Sequence, residues 1–264
     1  MASAPGSNVI AFLNNYRTNI VRGFYARFRR HTPEIYSNET TEAIWGLVAR
    51  QTVLALELTN NPGIWNRHIG PVALRAMVDV HITLAWILMD SEQRSREYIR
   101  YGLGQEKLLI EQLKDDVKTS PSTRKKRLGR AITSKRRWLE SQLLEWAIEV
   151  NVGAWSGKSV REMAQEAGCD RLYKFAYVPL SGAAHSMWQS VGRHNMSYCA
   201  NPLHKFHRVP ILTSFDPDPR YLYKSARHLS RTYLLISQRL DLPAKVPLPA
   251  RYFRRNNPFF ADED

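Results

Sequence analysis

Apolar residues recur along most of this chain at the three-and-four spacing that puts them on one side of a helix. From Asn8 they run through Phe12, Ile20, Phe24 and Phe28 to the basic cluster Arg27-Phe-Arg-Arg-His31, where Pro33 stops the pattern. A second helix is predicted from Thr40 to Leu58, ended by Asn60-Asn61-Pro62-Gly63. A third, from about Gly70 to Met89, has the stripe Leu74, Met77, Val78, His81, Leu84, Ala85 and Leu88. A fourth, Glu92 to Lys114, alternates in charge, and Gly102 and Gly104 are expected to weaken or split it.

Further on, Trp138, Leu139, Leu143, Trp146 and Val150 return to helical spacing. Ser159-Val-Arg-Glu162 reads as a capping box for a short helix that Gly168 terminates. Tyr173 to Arg193 reads as one or two helices indented by Pro179, and 201–220 as an irregular proline-containing arm. Tyr221 to Gln238 makes a last amphipathic helix. Period-two alternation is almost absent, so the fold expected is all-α: a single-domain helical bundle over 1–240, followed by an extended Pro-rich tail over 241–264.

Charge changes the picture. Lys and Arg number 38 against 24 Asp and Glu, a net charge of +14, and a field of that sign draws polyanions. It concentrates in 118–137, where Arg124, Lys125, Lys126, Arg127, Arg130, Lys135, Arg136 and Arg137 occur with no acidic residue. The segment is expected to be an exposed loop leading into a basic helix and to contact RNA or another polyanion. Two cysteines, Cys169 and Cys199, are too few for a disulfide framework, and no apolar run is long enough to span a bilayer. A cytoplasmic protein without a membrane partner is expected.

Candidate chemistry sits where ionisable groups enter apolar helices. Arg75 and Asp79 are four apart and can form a charge-assisted pair, either structural or holding the arginine for a phosphate. Tyr177, Ser181 and His185 share a second helix face, and the economical arrangement packs both sets into one cluster. No Gly-x-Ser-x-Gly elbow accompanies Ser181, which argues against a serine hydrolase. Gly153 to Ser159 falls one residue short of a phosphate-binding loop. Residues 159–178 have helix-turn-helix spacing, but the second helix is apolar and is expected in the core. Cys199-x4-His204-x2-His207 could supply three zinc ligands without an evident fourth, so no metal and no cofactor is expected.

Arg75-x5-His81 resembles the Arg-x4-6-His signature of HEPN-type ribonucleases. That resemblance implies an all-helical, usually dimeric, metal-independent endoribonuclease of a defence or toxin system. Arg75 would then stabilise phosphate, oriented by Asp79, while His185 or His81 acts as acid and base. Six residues turn a helix by about 600°, which puts His81 roughly 120° from Arg75 and on the apolar stripe. The alternative is a non-enzymatic helical module that binds nucleic acid or protein. The order Arg75-x3-Asp79, Trp155-Ser-Gly-Lys-Ser-Val-Arg-Glu-Met-Ala, Tyr177-x3-Ser181-x3-His185 resembles an all-helical bacterial family known only as a domain of unknown function (family 5677), over about residues 40–200. That family implies a fold and a set of polar positions, with no established reaction.

Overall fold

The computed structural model describes residues 6–32, 38–143 and 156–260. Trp146, Val150 and the Trp155 anchor lie outside them. The protein is all-α: eleven helices, α1 to α11, and a two-stranded hairpin are described. Their contacts divide the chain into two compact units, one of residues 1–34, 44–89 and 160–264, the other of 35–43 and 90–159.

In the larger unit α3 (Gly70–Ile87) is central, and the predicted stripe is buried in full. Val80, Ile82, Trp86 and Ile87 are buried too, so the helix is enclosed almost all round. It is also the one described helix long and apolar enough to cross a membrane, a property it shares with core helices of globular domains. Against it pack α10 (Arg220–Arg239), α6 (Val160–Glu166), α8 (Val178–Ala184) and a π-turn, Tyr173–Tyr177. On α10, Leu222, Ala226, Leu229, Tyr233 and Ile236 have no exposure at all. The close approach of α1 (Ser7–Phe28) to α10 needs Gly23, where a Cβ would come within 2.9 Å of the Tyr233 ring. Buried Arg27 fills that junction without a carboxylate, donating to the carbonyls of Gly23 (2.8 Å) and Tyr233 (3.2 Å) and to Ser237 Oγ (3.0 Å).

Two stretches depart from expectation in this unit. The 241–264 tail is not simply extended: Pro249, suited to a first helical turn, opens α11 (Pro249–Asn256), which seats Phe253 at 1% exposure. Residues 196–210 include a small antiparallel hairpin, β1 (Met196–Tyr198) with β2 (Arg208–Pro210), where only an irregular arm was expected. The connection α6 to α7 (Asp170–Leu172) follows the prediction. Gly168 adopts φ +69°, and the Cys169 and Gly168 amides bond back to the Ala164 and Gln165 carbonyls, a Schellman stop.

The second unit holds α4 (Ser91–Thr119) and α5 (Ser122–Leu143) as a helical hairpin. Gly102 and Gly104 do not split α4. The expected basic loop shrinks to Ser120 and Pro121: proline pushes the preceding residue out of the helical region, and Ser120 is extended at ψ 152°. The seam is Leu103, Ile110 and Leu139, backed by Ile99 and Ile132, with Lys135 clasping Glu106 at 2.7 Å.

Candidate functional site

Arg75 leaves α3 on the side that faces the π-turn and α8. Its Nε donates to Ser181 Oγ at 2.8 Å, its Nη1 pairs with Asp79, and its guanidinium lies 3.2 Å from the centre of the Tyr177 ring. Ser181 Oγ in turn donates to the Tyr177 carbonyl at 2.7 Å. Arg75, Asp79, Tyr177 and Ser181 therefore meet as one cluster, which engages Nε, Nη1 and one face of the guanidinium. Burial raises the Asp79 carboxyl above its ordinary range, opposed by Arg75 and, more weakly, by His185. Tyr177 is raised as well, by burial first and by the Asp79 charge second.

His185 does not complete the predicted line. Helix α8 ends at Ala184, and Ser186 turns the chain at φ +50°, leaving His185 exposed at the helix end within electrostatic reach of Asp79. His81 is not brought to Arg75 either; its Nδ1 lies 2.8 Å from Thr232 Oγ1 on α10. The 120° turn between the two positions separates them.

The Arg75–Asp79 pair has the contacts that either a structural ion pair or an arginine held for an anion would need. Arg75→Ala would leave Ser181 and the Asp79 carboxylate without their donor. We expect a loss of about 2 kcal/mol in urea unfolding, below the figure for fully buried pairs because Asp79 keeps 41% side-chain exposure.

His81 instead lies on the wall of an open cleft of about 650 Å³. Its cations are Arg171 from α7 and Lys224, Arg227 and Arg231 from α10, and no carboxylate lines it among the described residues. None of the four forms an ion pair among the described residues, although Lys224 lies within electrostatic reach of Asp218. His228 completes the wall and accepts from Arg231 Nη1 at 3.4 Å on Nδ1, which fixes its proton on Nε2. Burial holds both imidazoles neutral, lowering His81 to about 4 and His228 to about 3, helped in each case by Arg231. Partial burial, and then the charge of Arg227, lower Arg231 itself. Cys169 beside them is raised by burial.

The profile of a family of unknown function, DUF5677, matches residues 42–200. The chain belongs to the DUF5677 family. No curated protein and no solved structure matches it. The DUF5677 match takes in the whole Arg75 cluster and one wall of the cleft, including His81, Cys169 and Arg171; the α10 wall lies beyond its end. The cleft went unpredicted, although its signal was present: Lys224, Arg227, His228 and Arg231 are spaced i, i+3, i+4, i+7 on a helix without an acidic residue. The apolar helix expected in the core, 172–178, forms the other wall, with Phe175 75% exposed.

The basic segment 118–137 lies almost wholly on α5. Arg124 is paired with Asp116 at 2.7 Å and Lys135 with Glu106, whereas Lys125, Lys126, Arg127, Arg130, Arg136 and Arg137 are exposed with no acidic partner among the described residues. Lys126, Arg130 and Arg137 fall on one line of the helix, and Trp138 stands 51% exposed beside it.

Proposed function

We propose that this protein is RNA-directed and holds RNA through phosphate contacts in the basic cleft of the larger unit and along α5 of the other. The cleft carries the reading: four cations converge around about 650 Å³ with no described carboxylate on its walls, Asp218 reaching only Lys224 through space. Like charges gathered on one open wall repel, and an entering anion relieves that repulsion. A phosphate offers the acceptors that paired guanidinium groups satisfy, and Phe175 offers a face for a base. The exposed tryptophan beside the α5 cations extends the same chemistry, stacking next to backbone contacts.

A labelled single-stranded RNA, followed by anisotropy over a salt series, tests this. Affinity should fall with salt at a slope of about 0.7 per phosphate contacted. Arg227→Ala with Arg231→Ala should weaken binding about tenfold and lower the slope by about 1.4, and Lys126→Ala, Arg130→Ala and Arg137→Ala should act in the same direction. Binding that is insensitive to both sets would remove RNA from consideration.

A second reading, cleavage of the RNA, is favoured by one observation: His81 and His228 lie on the cleft wall among the arginines, where an imidazole and a guanidinium could serve a ribose hydroxyl and its phosphate. RNA shortening in EDTA that is lost on His81→Ala and kept on His185→Ala would support it. Intact RNA under conditions of tight binding would leave a binding module.

A further inference from the structure

The hairpin that interrupts the helical fold carries a second, unrelated set of chemical groups. Its register pairs Tyr198 with Arg208, and the next step inward joins the Cys199 amide to the His207 carbonyl at 2.9 Å. The loop between folds back through His204, whose amide bonds to the Asn201 carbonyl at 3.0 Å, and His207 then bonds to the His204 carbonyl at 3.1 Å. Cys199, His204 and His207 are thereby turned towards one point. One ligand atom of each lies within 4.8 Å of the others, and Cys199 Sγ stands 3.7 Å from His204 Nδ1.

That last distance is informative. With Zn–S at about 2.3 Å and Zn–N at about 2.0 Å, a tetrahedral ion separates a thiolate from an imidazole nitrogen by about 3.5 Å. The sulfur and nitrogen already stand one tetrahedral edge apart. His207, on the exposed side of the loop, needs to close by at most about 1.5 Å, within reach of side-chain rotation. No Asp or Glu occurs between Met196 and Leu212, so calcium and magnesium find no carboxylate there, whereas a thiolate with two imidazoles suits zinc.

Beyond its own hydrogen bonds, the loop has no packed core to hold its shape. Leu203 and Phe206 are 87% and 88% exposed, so the tip builds no core, and strands of three residues are marginal by themselves. Phe206 sits at φ +65°, a conformation costly for a residue with a Cβ, and it is this turn that brings His207 back towards Cys199.

We propose that Cys199, His204 and His207 form a zinc site that clasps the 199–207 loop and leaves a fourth coordination position open to water. Binding exchanges the Cys199 thiol proton for the metal: an S–H bond breaks, an S–Zn bond forms, the proton passes to buffer, and no electron is transferred. With the metal on Nδ1, His204 Nε2 becomes an N–H donor. The Asn201 amide nitrogen now stands 3.3 Å from that atom while its oxygen accepts from the Leu203 amide at 3.0 Å, so metal binding must displace the Asn201 side chain or turn it over at the expense of the Leu203 bond.

The full-length protein, free of any affinity tag and stripped with chelator, decides the matter by zinc titration calorimetry and by cobalt substitution. Wild type and Cys169→Ser should each take up stoichiometric metal and show thiolate-to-cobalt charge-transfer absorption with strong tetrahedral d–d bands. Cys199→Ser should lose the charge-transfer absorption and bind zinc at least tenfold more weakly, with His204→Ala and His207→Ala weakened similarly, all at unchanged helical circular dichroism. Wild type that retains no stoichiometric zinc, a Cys199→Ser protein that binds as wild type does, or charge-transfer absorption that follows Cys169 would each overturn the assignment. RNA affinity is read separately, so failure of one proposal leaves the other standing.

Discussion

Phe253→Ala is expected to destabilise the larger unit by about 3–5 kcal/mol, the range for emptying a buried aromatic site that cannot collapse. Phe253 is 1% exposed and sits where the two ends of the chain meet. Its ring lies edge-on to Phe12 at 5.2 Å and to Tyr16 at 5.7 Å, both on α1, and tilted against Tyr223 of α10 at 5.2 Å. Phe259 and Phe260 close over it from the C-terminal side at 6.2 and 6.5 Å. Removing the ring opens a void bounded by helices that are held independently, Asn19 by the Pro247 carbonyl and Ala250 by Ser230. Urea unfolding followed by tryptophan fluorescence would report the loss. Arg254→Ala, one position along on the exposed side, should cost less than about 0.5 kcal/mol. If Phe253→Ala were equally mild, the tail would be an appendage and α11 would contribute nothing to the core.

Acidification should cost about as much. His81 and His228 titrate near 4 and 3 when folded and near 6.5 when unfolded, so between those values the unfolded chain binds more protons than the folded one. Stability is therefore full above about pH 6.5 and falls as pH drops towards 4. At pH 5 each histidine contributes a loss of about 2 kcal/mol, hence about 4 kcal/mol together relative to pH 7.5. Both side chains are buried, at 8% and 6% exposure, which keeps solvent from screening the effect. Unfolding free energies measured across that range should follow a slope approaching two protons. His81→Gln and His228→Gln should each remove about half of the pH dependence, whatever their effect on stability at pH 7.5. A flat profile from pH 7.5 to 5 would mean that both rings take up protons freely in the folded protein.

How far the sequence was legible depends on how local the cause was. The α3 stripe, the Gly168 stop and the amphipathic α10 were read correctly because each follows from spacing within one helix or from one glycine. The meeting of Arg75 with Ser181 was legible for a related reason: two polar positions set into apolar helix faces must find one another or stay unpaired. His185 was misplaced because the line Tyr177-Ser181-His185 assumes a helix that continues, whereas the chain turns at Ser186. The length of α5 was missed because dense charge reads as a loop, although lysine and arginine are good helix formers and Leu128, Ile132 and Leu139 supply a buried edge. The cleft was only half legible. The basic line of 224–231 is plain in the sequence, but its opposite wall at 168–176 is distant along the chain and meets it only across α3.

Helix α10 has one consequence that reaches past any single residue. Its apolar side is locked into the core by five residues without exposure, while Lys224, Arg227 and Arg231 project from the same turns into the cleft. The points from which the cations project therefore inherit the rigidity of the core. If an anion binds there as proposed, it would meet charges whose anchor points are fixed, and selectivity among anions should follow that spacing more than any closing motion. The same linkage constrains how the protein can vary. Exposed positions on α10 can exchange one charge for another and retune the cleft at little cost to folding. A one-residue insertion in that helix would rotate core and cleft residues together and forfeit both.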